Sequence, residues 1–531
     1  MSRAPARDRR PGKESVGARS FARRYGRARA GTSAQTSKLD GRPLGLGAQL
    51  RRVPTAAWVC ALIAFVNAFA WSLIVPPFQG KDEVDHFAYV AHLSEKGTLP
   101  LAGRAENEYS PAQLQVMEAL HYYQVRFSPF TPSIATAAEQ SQLTQAANAG
   151  ASTENARETA GIASPEPPLY YALAIVPYTL GSGNVLVQLQ LMRILGTLFG
   201  ALTVLFTFLF LRECLPGVPW AATVGALCIA LQPLLAFMSG SVNPESLLFA
   251  IAAASFYFLA RAFRRGLSPR LAVALGTAVA LGFLTKLNYI GFAFGVYVGL
   301  AALAWRAARA GVRKPLRSPA IAAGIGFVPL LLYVPRNLLT GRPTLGPVAG
   351  AVSLVTGGSL FKVLSYSWQL FLPRLPGMPH YFLGVDTFKD VWFDRSVGLY
   401  GFMDTMFPTW VDNVALVPAG IVALLCAREL YGGRHALRAR AAELITYAAI
   451  SVGVLAMLGV ASYSSDVIGG EAAFAEPRYL LPMIPLVGAV VALAIRGAGR
   501  RFAPVAAAAL VVLFFGHDLV SQLQVVARYY G

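Results

Sequence analysis

The chain has 531 residues, of which 55% are hydrophobic and 14% charged, too apolar a balance for a soluble enzyme, so lipid must cover much of its surface. The net charge of +19 raises the question of a nucleic-acid partner, but its placement argues against one. Residues 1–53 alone hold 14 Lys and Arg against Asp8, Glu14 and Asp40, a net of +11 in an Arg-, Ala-, Gly- and Ser-rich stretch with little periodicity, which reads as a disordered basic tail.

The tail runs directly into the first apolar segment, 55–77. Basic residues next to a span mark the cytoplasmic side, so the N-terminus is expected there, with the first segment retained as a span and not cleaved as a signal peptide. Further spans are expected near 185–211, 218–238, 244–262, 270–285, 289–305, 318–335, 411–427, 441–461, 479–496 and 503–523, about eleven in all. With these boundaries the basic clusters Arg261–Arg270, Arg306–Arg317, Arg428–Arg440 and Arg496–Arg501 all fall on the cytoplasmic side. Residues 78–165, with ten acids and five bases, and residues 336–410 then face outward. The stretch 166–181 is too short to span, and counting it would turn every later basic loop outward. It is expected to lie in the outer interface, with Tyr170, Tyr171 and Tyr178 at headgroup level. Cys60, Cys214, Cys228 and Cys426 show no metal spacing and read as small packing residues. The expected fold is therefore an all-α polytopic membrane protein in the plasma membrane.

The first outer segment carries the densest chemistry. In Val75-Pro-Pro-Phe-Gln-Gly-Lys-Asp-Glu-Val-Asp-His-Phe-Ala-Tyr89, three carboxylates and an imidazole fall within five residues. Asp82, Asp85 and His86 share one face of a helical turn, with Glu83 to the side, a set able to converge on a hydroxyl or a divalent cation. The competing reading is a capped helix start, with Asp82 or Glu83 answering the macrodipole. Glu166 in Ser164-Pro-Glu-Pro-Pro-Leu-Tyr-Tyr171 reads first as a loop entering a helix. Asn243, Lys286, Arg336, Arg478 and its neighbour Tyr479 add amide, cationic and aromatic groups on the same side. Singly these are span-end anchors, whereas together they suit a buried anion such as a lipid phosphate.

Four features in order, Pro-Pro-Phe-x-x-x-Asp-Glu-x-x-His-Phe, Pro-Pro-Leu-Tyr-Tyr, Ser396-Val-Gly-Leu-Tyr-Gly-Phe-Met-Asp404 and Arg478-Tyr-Leu-Leu-Pro482, resemble a bacterial family of predicted membrane proteins, catalogued as a domain of unknown function and grouped with the GT-C glycosyltransferases. The resemblance covers about 55–525. It implies a GT-C-like fold whose large first outer loop carries helices lying along the membrane. It also implies transfer of a sugar from a polyprenyl-phosphate donor to a glycan, lipid or protein acceptor outside the cytoplasm, with Asp82 or Glu83 as general base. Asp85, His86, Glu166, Tyr170, Tyr171, Asn243, Lys286, Arg336, Arg478 and Tyr479 would then bind substrate or lipid phosphate. Related sequences usually carry His or Lys where this chain has Glu166, and Gly where it has Glu476-Pro477. No cofactor is called for, and a divalent cation at Asp82, Glu83 or His86 is left open. The alternatives are a transporter or flippase, which predicts mid-span ionisable groups and broken helices, and a non-catalytic envelope-assembly protein.

Overall fold

The computed structural model describes residues 53–101, 109–128, 131–133, 136–149, 160–339, 360–470 and 475–531; the expectation for the basic tail lies outside them. The described chain is mostly helical, and its strands are limited to the short pair β1 (Leu399–Tyr400) against β2 (Thr405–Met406). In order, the helices are α1 (Thr55–Ile74), α2 (Glu83–Lys96), α3 (Pro111–Ala119), α4 (Tyr122–Phe127), α5 (Ala137–Ala149), α6 (Leu169–Leu180), α7 (Val185–Cys214), α8 (Pro219–Ala230) and α9 (Pro233–Ser239). They continue as α10 (Glu245–Arg265), α11 (Pro269–Thr285), α12 (Tyr289–Arg309), α13 (Arg317–Leu339), α14 (Leu360–Phe371), α15 (Thr409–Gly432), α16 (Arg434–Arg438), α17 (Ala441–Tyr463), α18 (Ile484–Gly497) and α19 (Gly499–Tyr530).

Among the described residues nine helical segments are long and apolar enough to cross a membrane: α1, α7, α10, α12, α13, α15, Ala441–Ile468, Pro477–Gly497 and α19. The protein is a multi-pass membrane protein in a lipid bilayer. Two of the eleven expected spans take other forms. The segment 218–238 is not one straight helix but the pair α8 and α9, bent by 60°, which makes a tenth span only if the two are counted together. Its break is local chemistry. Pro233 cannot donate to the preceding turn and pushes Gln232 into extended backbone (φ −82°, ψ 114°), and the Gln232 side chain then accepts from Leu235 N–H at 2.6 Å to restart the helix. The other is α11, an apolar helix of 17 residues. Elsewhere the boundaries follow ordinary signals. Val75 stands before Pro76 and leaves the α region, while Asn184 and Ser268 cap α7 and α11 by accepting from Val187 and Leu271 N–H.

The bundle packs around α7, which contacts α1, α8 and α10. Gly196 and Gly200 let the turn after α9 sit directly on α7: a side chain at Gly196 would meet Ser239 O at 2.5 Å, and one at Gly200 would meet Ser239 Oγ at 2.7 Å. Gly291, Gly295 and Gly299 do the same for α12 against α17. Small residues at four-residue spacing let helix backbones approach where lipid supplies no hydrophobic drive to associate. Leu331 and Leu332 on α13, Leu424 on α15 and Val512 on α19 are exposed, an apolar surface suited to acyl chains.

The ends of the bundle differ in charge. At one end Glu213 on α7 takes Arg264 and Arg265 from α10 at 2.9 and 2.7 Å, and Arg440, which precedes α17, donates to Cys214 O at 2.9 Å. The basic segments around 261–270 and 428–440, expected to share one side, therefore meet. The acidic first loop and the N-terminal end of α10 gather at the opposite end. All four cysteines are free and buried.

Candidate functional site

The expected interfacial stretch is α6, a short helix, and its tyrosines face the protein instead of lipid headgroups. Tyr170 and Tyr171 are fully buried, and Tyr178 nearly so. Tyr171 stacks on Tyr89 of α2 with centroids 3.6 Å apart, and Tyr178 donates to Glu95 at 2.9 Å. Leu173, Val176 and Leu180 take the exposed face instead. The acidic second helix supplies hydrogen-bond partners and flat rings that lipid does not, so the aromatic face turns inward.

The acidic motif divides into three roles. Asp82 is the residue before α2 and has left-handed backbone (φ 59°) with no side-chain capping bond, so the capping reading does not describe it. Its carboxylate turns away from the helix and accepts from Arg478 Nη2 at 3.0 Å, with Lys81 Nζ at 3.9 Å. Aspartate tolerates this conformation better than most residues, yet a non-glycine residue held there costs of order 1–3 kcal/mol, and such strain concentrates at functional sites. Burial raises the Asp82 carboxyl, but Arg478 and Lys81 outweigh it and hold it below the usual carboxylate range.

Glu83 is fully buried. Arg193 of α7 grips it through Nε and Nη2 at 2.8 and 2.6 Å, and Val242 N–H adds a third bond at 2.9 Å. The same guanidinium donates to Ser72 O, Val75 O and Pro76 O, closing the end of α1. Asp85 faces elsewhere and accepts from Tyr109 OH at 2.8 Å. Of the three residues on that turn Asp85 therefore points away, while Asp82 and His86 stay close enough to feel one another's charge.

His86 lies 2.9 Å from Tyr171 OH through Nδ1. Burial, only partly opposed by Asp82, pushes its pKa down to about 3, so the ring is neutral at pH 7. An unfolded histidine titrates near 6.5. Below that pH the unfolded segment takes up a proton that the folded one refuses, so stability falls as pH drops from about 6.5 towards 3. The expected loss at pH 5 is about 2 kcal/mol. Thermal unfolding in detergent between pH 7.5 and 5 should show it, and His86→Gln should flatten the dependence; equal slopes in both proteins would contradict the assignment.

Around Asp82 the remaining groups form one ionic network. Lys286, in the turn between α11 and α12, lies 2.8 Å from Glu245 Oε1 and 3.7 Å from Glu166 Oε1. Burial raises the Glu166 carboxyl against the pull of Lys286. Arg478 lies 2.6 Å from Glu476 and 4.0 Å from Glu245, and its Nη2 donates to Tyr479 OH at 2.9 Å. Asn243 is spent on structure, accepting from Glu245 N–H at 2.9 Å. Glu245, Lys286, Asn288, Arg478 and Tyr479 line one end of a cavity of about 30 Å³ whose other walls are apolar side chains of α10, α12 and α17. The Arg478 side chain is 4% exposed, yet its Nη1 has no hydrogen-bond partner among the described residues. A buried donor left open is costly, and a substrate oxygen at this position would satisfy it. Among the described residues no group of three or more His, Cys, Asp or Glu is arranged to hold a metal ion.

One expectation needs adjustment and two participants were missed. Arg336 is exposed on α13 and does not line the cavity; helical periodicity turns it away although its position at a span end suggested otherwise. Arg193 escaped notice, although a lone arginine inside the apolar run 185–211 was the available signal. Phe402, at the tip of the hairpin, lies under Arg126 at 3.7 Å and Lys81 at 5.0 Å. The Ser396–Asp404 motif thus packs against the residue preceding Asp82.

No curated protein matches the chain. The family model described as "Predicted membrane protein (DUF2142)" matches residues 65–487, which run from α1 into α18 and include Asp82, Glu166, Lys286 and Arg478, and the chain belongs to that family.

Proposed function

We propose that the chain is a membrane glycosyltransferase with a GT-C-like fold, acting on the extracytoplasmic side of the plasma membrane and moving a sugar from a polyprenyl-phosphate donor to an envelope glycan, lipid or protein acceptor. The observation that carries this reading is the pairing of the Asp82 carboxylate with Arg478, whose open Nη1 lies beside an apolar cavity. Asp82 removes the proton of an acceptor hydroxyl as that oxygen bonds to the anomeric carbon. The bond from that carbon to phosphate oxygen breaks, and the lipid phosphate leaves as an anion beside Arg478 and Lys286. Glu83 is the weaker candidate for base because its oxygens are occupied by Arg193 and Val242.

Lys81, Lys286 and Arg478 are already matched by Asp82, Glu166, Glu245 and Glu476. An arriving phosphate that engages more than the open Nη1 of Arg478 therefore displaces a carboxylate from a cation. Displacing Asp82 from Arg478 raises the Asp82 pKa and strengthens it as a base, so donor binding and base activation are coupled.

A transporter of envelope precursors is the second reading, favoured by the bent pair α8 and α9. The turn after that pair supplies the Val242 N–H that holds Glu83. One experiment separates the two: envelope glycan composition and the leaflet distribution of lipid-linked sugar in a strain lacking the gene, complemented with wild type or Asp82→Asn at matched membrane abundance. Loss of one sugar, restored by wild type alone with the donor already outside, supports transfer. Restoration by Asp82→Asn sinks the base assignment, and donor stranded in the inner leaflet supports transport.

A further inference from the structure

The helices of the first loop line a second, larger and open cleft of about 920 Å³, formed by α3, α4 and α5, within the size range of small-molecule sites. We propose that this cleft binds a neutral oligosaccharide, the acceptor chain of the proposed transfer, and in that identity the inference rests on the transferase reading.

The chemistry of the lining makes the case. Gln115 on α3, Gln124 on α4, and Gln142 and Gln145 on α5 all line the cleft and are exposed. Each amide offers two donors and an acceptor on one plane, a match for adjacent sugar hydroxyls. Tyr123 is 52% exposed beside them, its ring held edge-on to Tyr122 at 5.1 Å, and an open aromatic face suits the C–H face of a pyranose. Among the described lining residues there is no Lys or Arg, and Glu118 is the one carboxylate. A phosphate or uronate finds no cation there, in contrast to the Arg478 network.

The cleft is also built in advance. Gln142 and Gln145, like Gln115 and Glu118, sit three residues apart on one helix face, while Leu143, Ala147 and Val116 are buried behind them. α5 begins with a reciprocal cap: Thr136 N–H donates to Glu139 at 2.9 Å, and Glu139 N–H donates to Thr136 Oγ1 at 3.2 Å. At the rim His121 is held at φ 50°, with Nε2 3.3 Å from Glu139, joining the α3–α4 turn to α5. Strained backbone at a cleft rim persists where the surroundings over-determine it. α3 is fixed in turn to the helix that follows Asp82, because Gln113 Nε2 donates to Val84 O at 2.8 Å. A chain held in the cleft is thereby held at a set distance from the proposed base.

The test is binding, not transfer, so its answer does not depend on whether the transferase reading survives. The full chain in lipid nanodiscs is titrated with maltohexaose, mannohexaose and N-acetylchitohexaose, with hexagalacturonate as an anionic comparison, by saturation-transfer NMR and calorimetry. At least one neutral hexasaccharide should bind with Kd of about 1 mM or tighter. Tyr123→Ala and the pair Gln142→Ala/Gln145→Ala should each weaken it at least tenfold while the unfolding temperature stays at the wild-type value. The inference is overturned if no neutral hexasaccharide binds, if hexagalacturonate binds equally well, or if the folded cleft variants bind like wild type.

Discussion

Replacing Arg193 with leucine should destabilise the protein by about 3–5 kcal/mol, the range for breaking a buried ion pair from one side. The side chain is 3% exposed and its partner fully buried, so the substitution leaves the Glu83 charge in a low-dielectric interior without its counter-ion. It also strips the donors from Ser72 O, Val75 O and Pro76 O. Glu83→Gln should cost less, because the guanidinium keeps its three carbonyl acceptors and the amide oxygen can still accept from Val242 N–H. The double variant should lose less than the sum of the two singles, since the second change removes the uncompensated charge the first created. Unfolding temperature in detergent and steady-state membrane level measure all three. An Arg193→Leu protein as stable as wild type would mean that the clamp between α1, α7 and the turn before α2 does not hold the site in place.

This clamp shows where sequence reading reaches and where it stops. Apolar segments of span length are local properties, and α1, α7, α10, α12 and α13 stand where hydropathy puts them. The break at Gln232-Pro233 was also locally visible, but its 60° bend depends on the close approach allowed by Gly196 and Gly200 on another helix. The acidic motif was legible as a site and not as a set of roles. Asp82 and Glu83 are adjacent and chemically alike. They are told apart only by Arg478 and by Arg193, which lie 396 and 110 residues away in the chain. The inward turn of the α6 tyrosines was hidden for the same reason, since an aromatic helix of span-edge character suits headgroups or a polar helix equally well, and the presence of α2 decides. Four exposed glutamines scattered over three short helices carry no sequence signal until folding brings them round one cleft.

Asp82→Asn should reduce sugar transfer by roughly 10² to 10⁴-fold, the contribution of a positioned base, with little loss of stability. Asparagine keeps the shape and can still accept from Arg478 Nη2, and Arg478 retains Glu476 and Glu245 close by. Arg478→Gln is the sharper companion. Arg478 is the first of the cations holding the Asp82 carboxyl below its usual range, and burial pulls in the opposite direction. Without the guanidinium, burial dominates and the Asp82 pKa rises. In the donor-free wild type the base stays ionised above the ordinary carboxylate range, so transfer at limiting donor should not decline on acidification until pH falls below about 4. In Arg478→Gln the acid limb should move to higher pH, alongside weaker donor binding from loss of the phosphate partner. Sugar incorporation by isolated membranes from pH 4.5 to 8, normalised to protein level, reads both effects. Asp82→Asn membranes with half or more of wild-type incorporation, or an acid limb that does not move in active Arg478→Gln membranes, would remove Asp82 as the base and leave Arg478 as a binding residue alone.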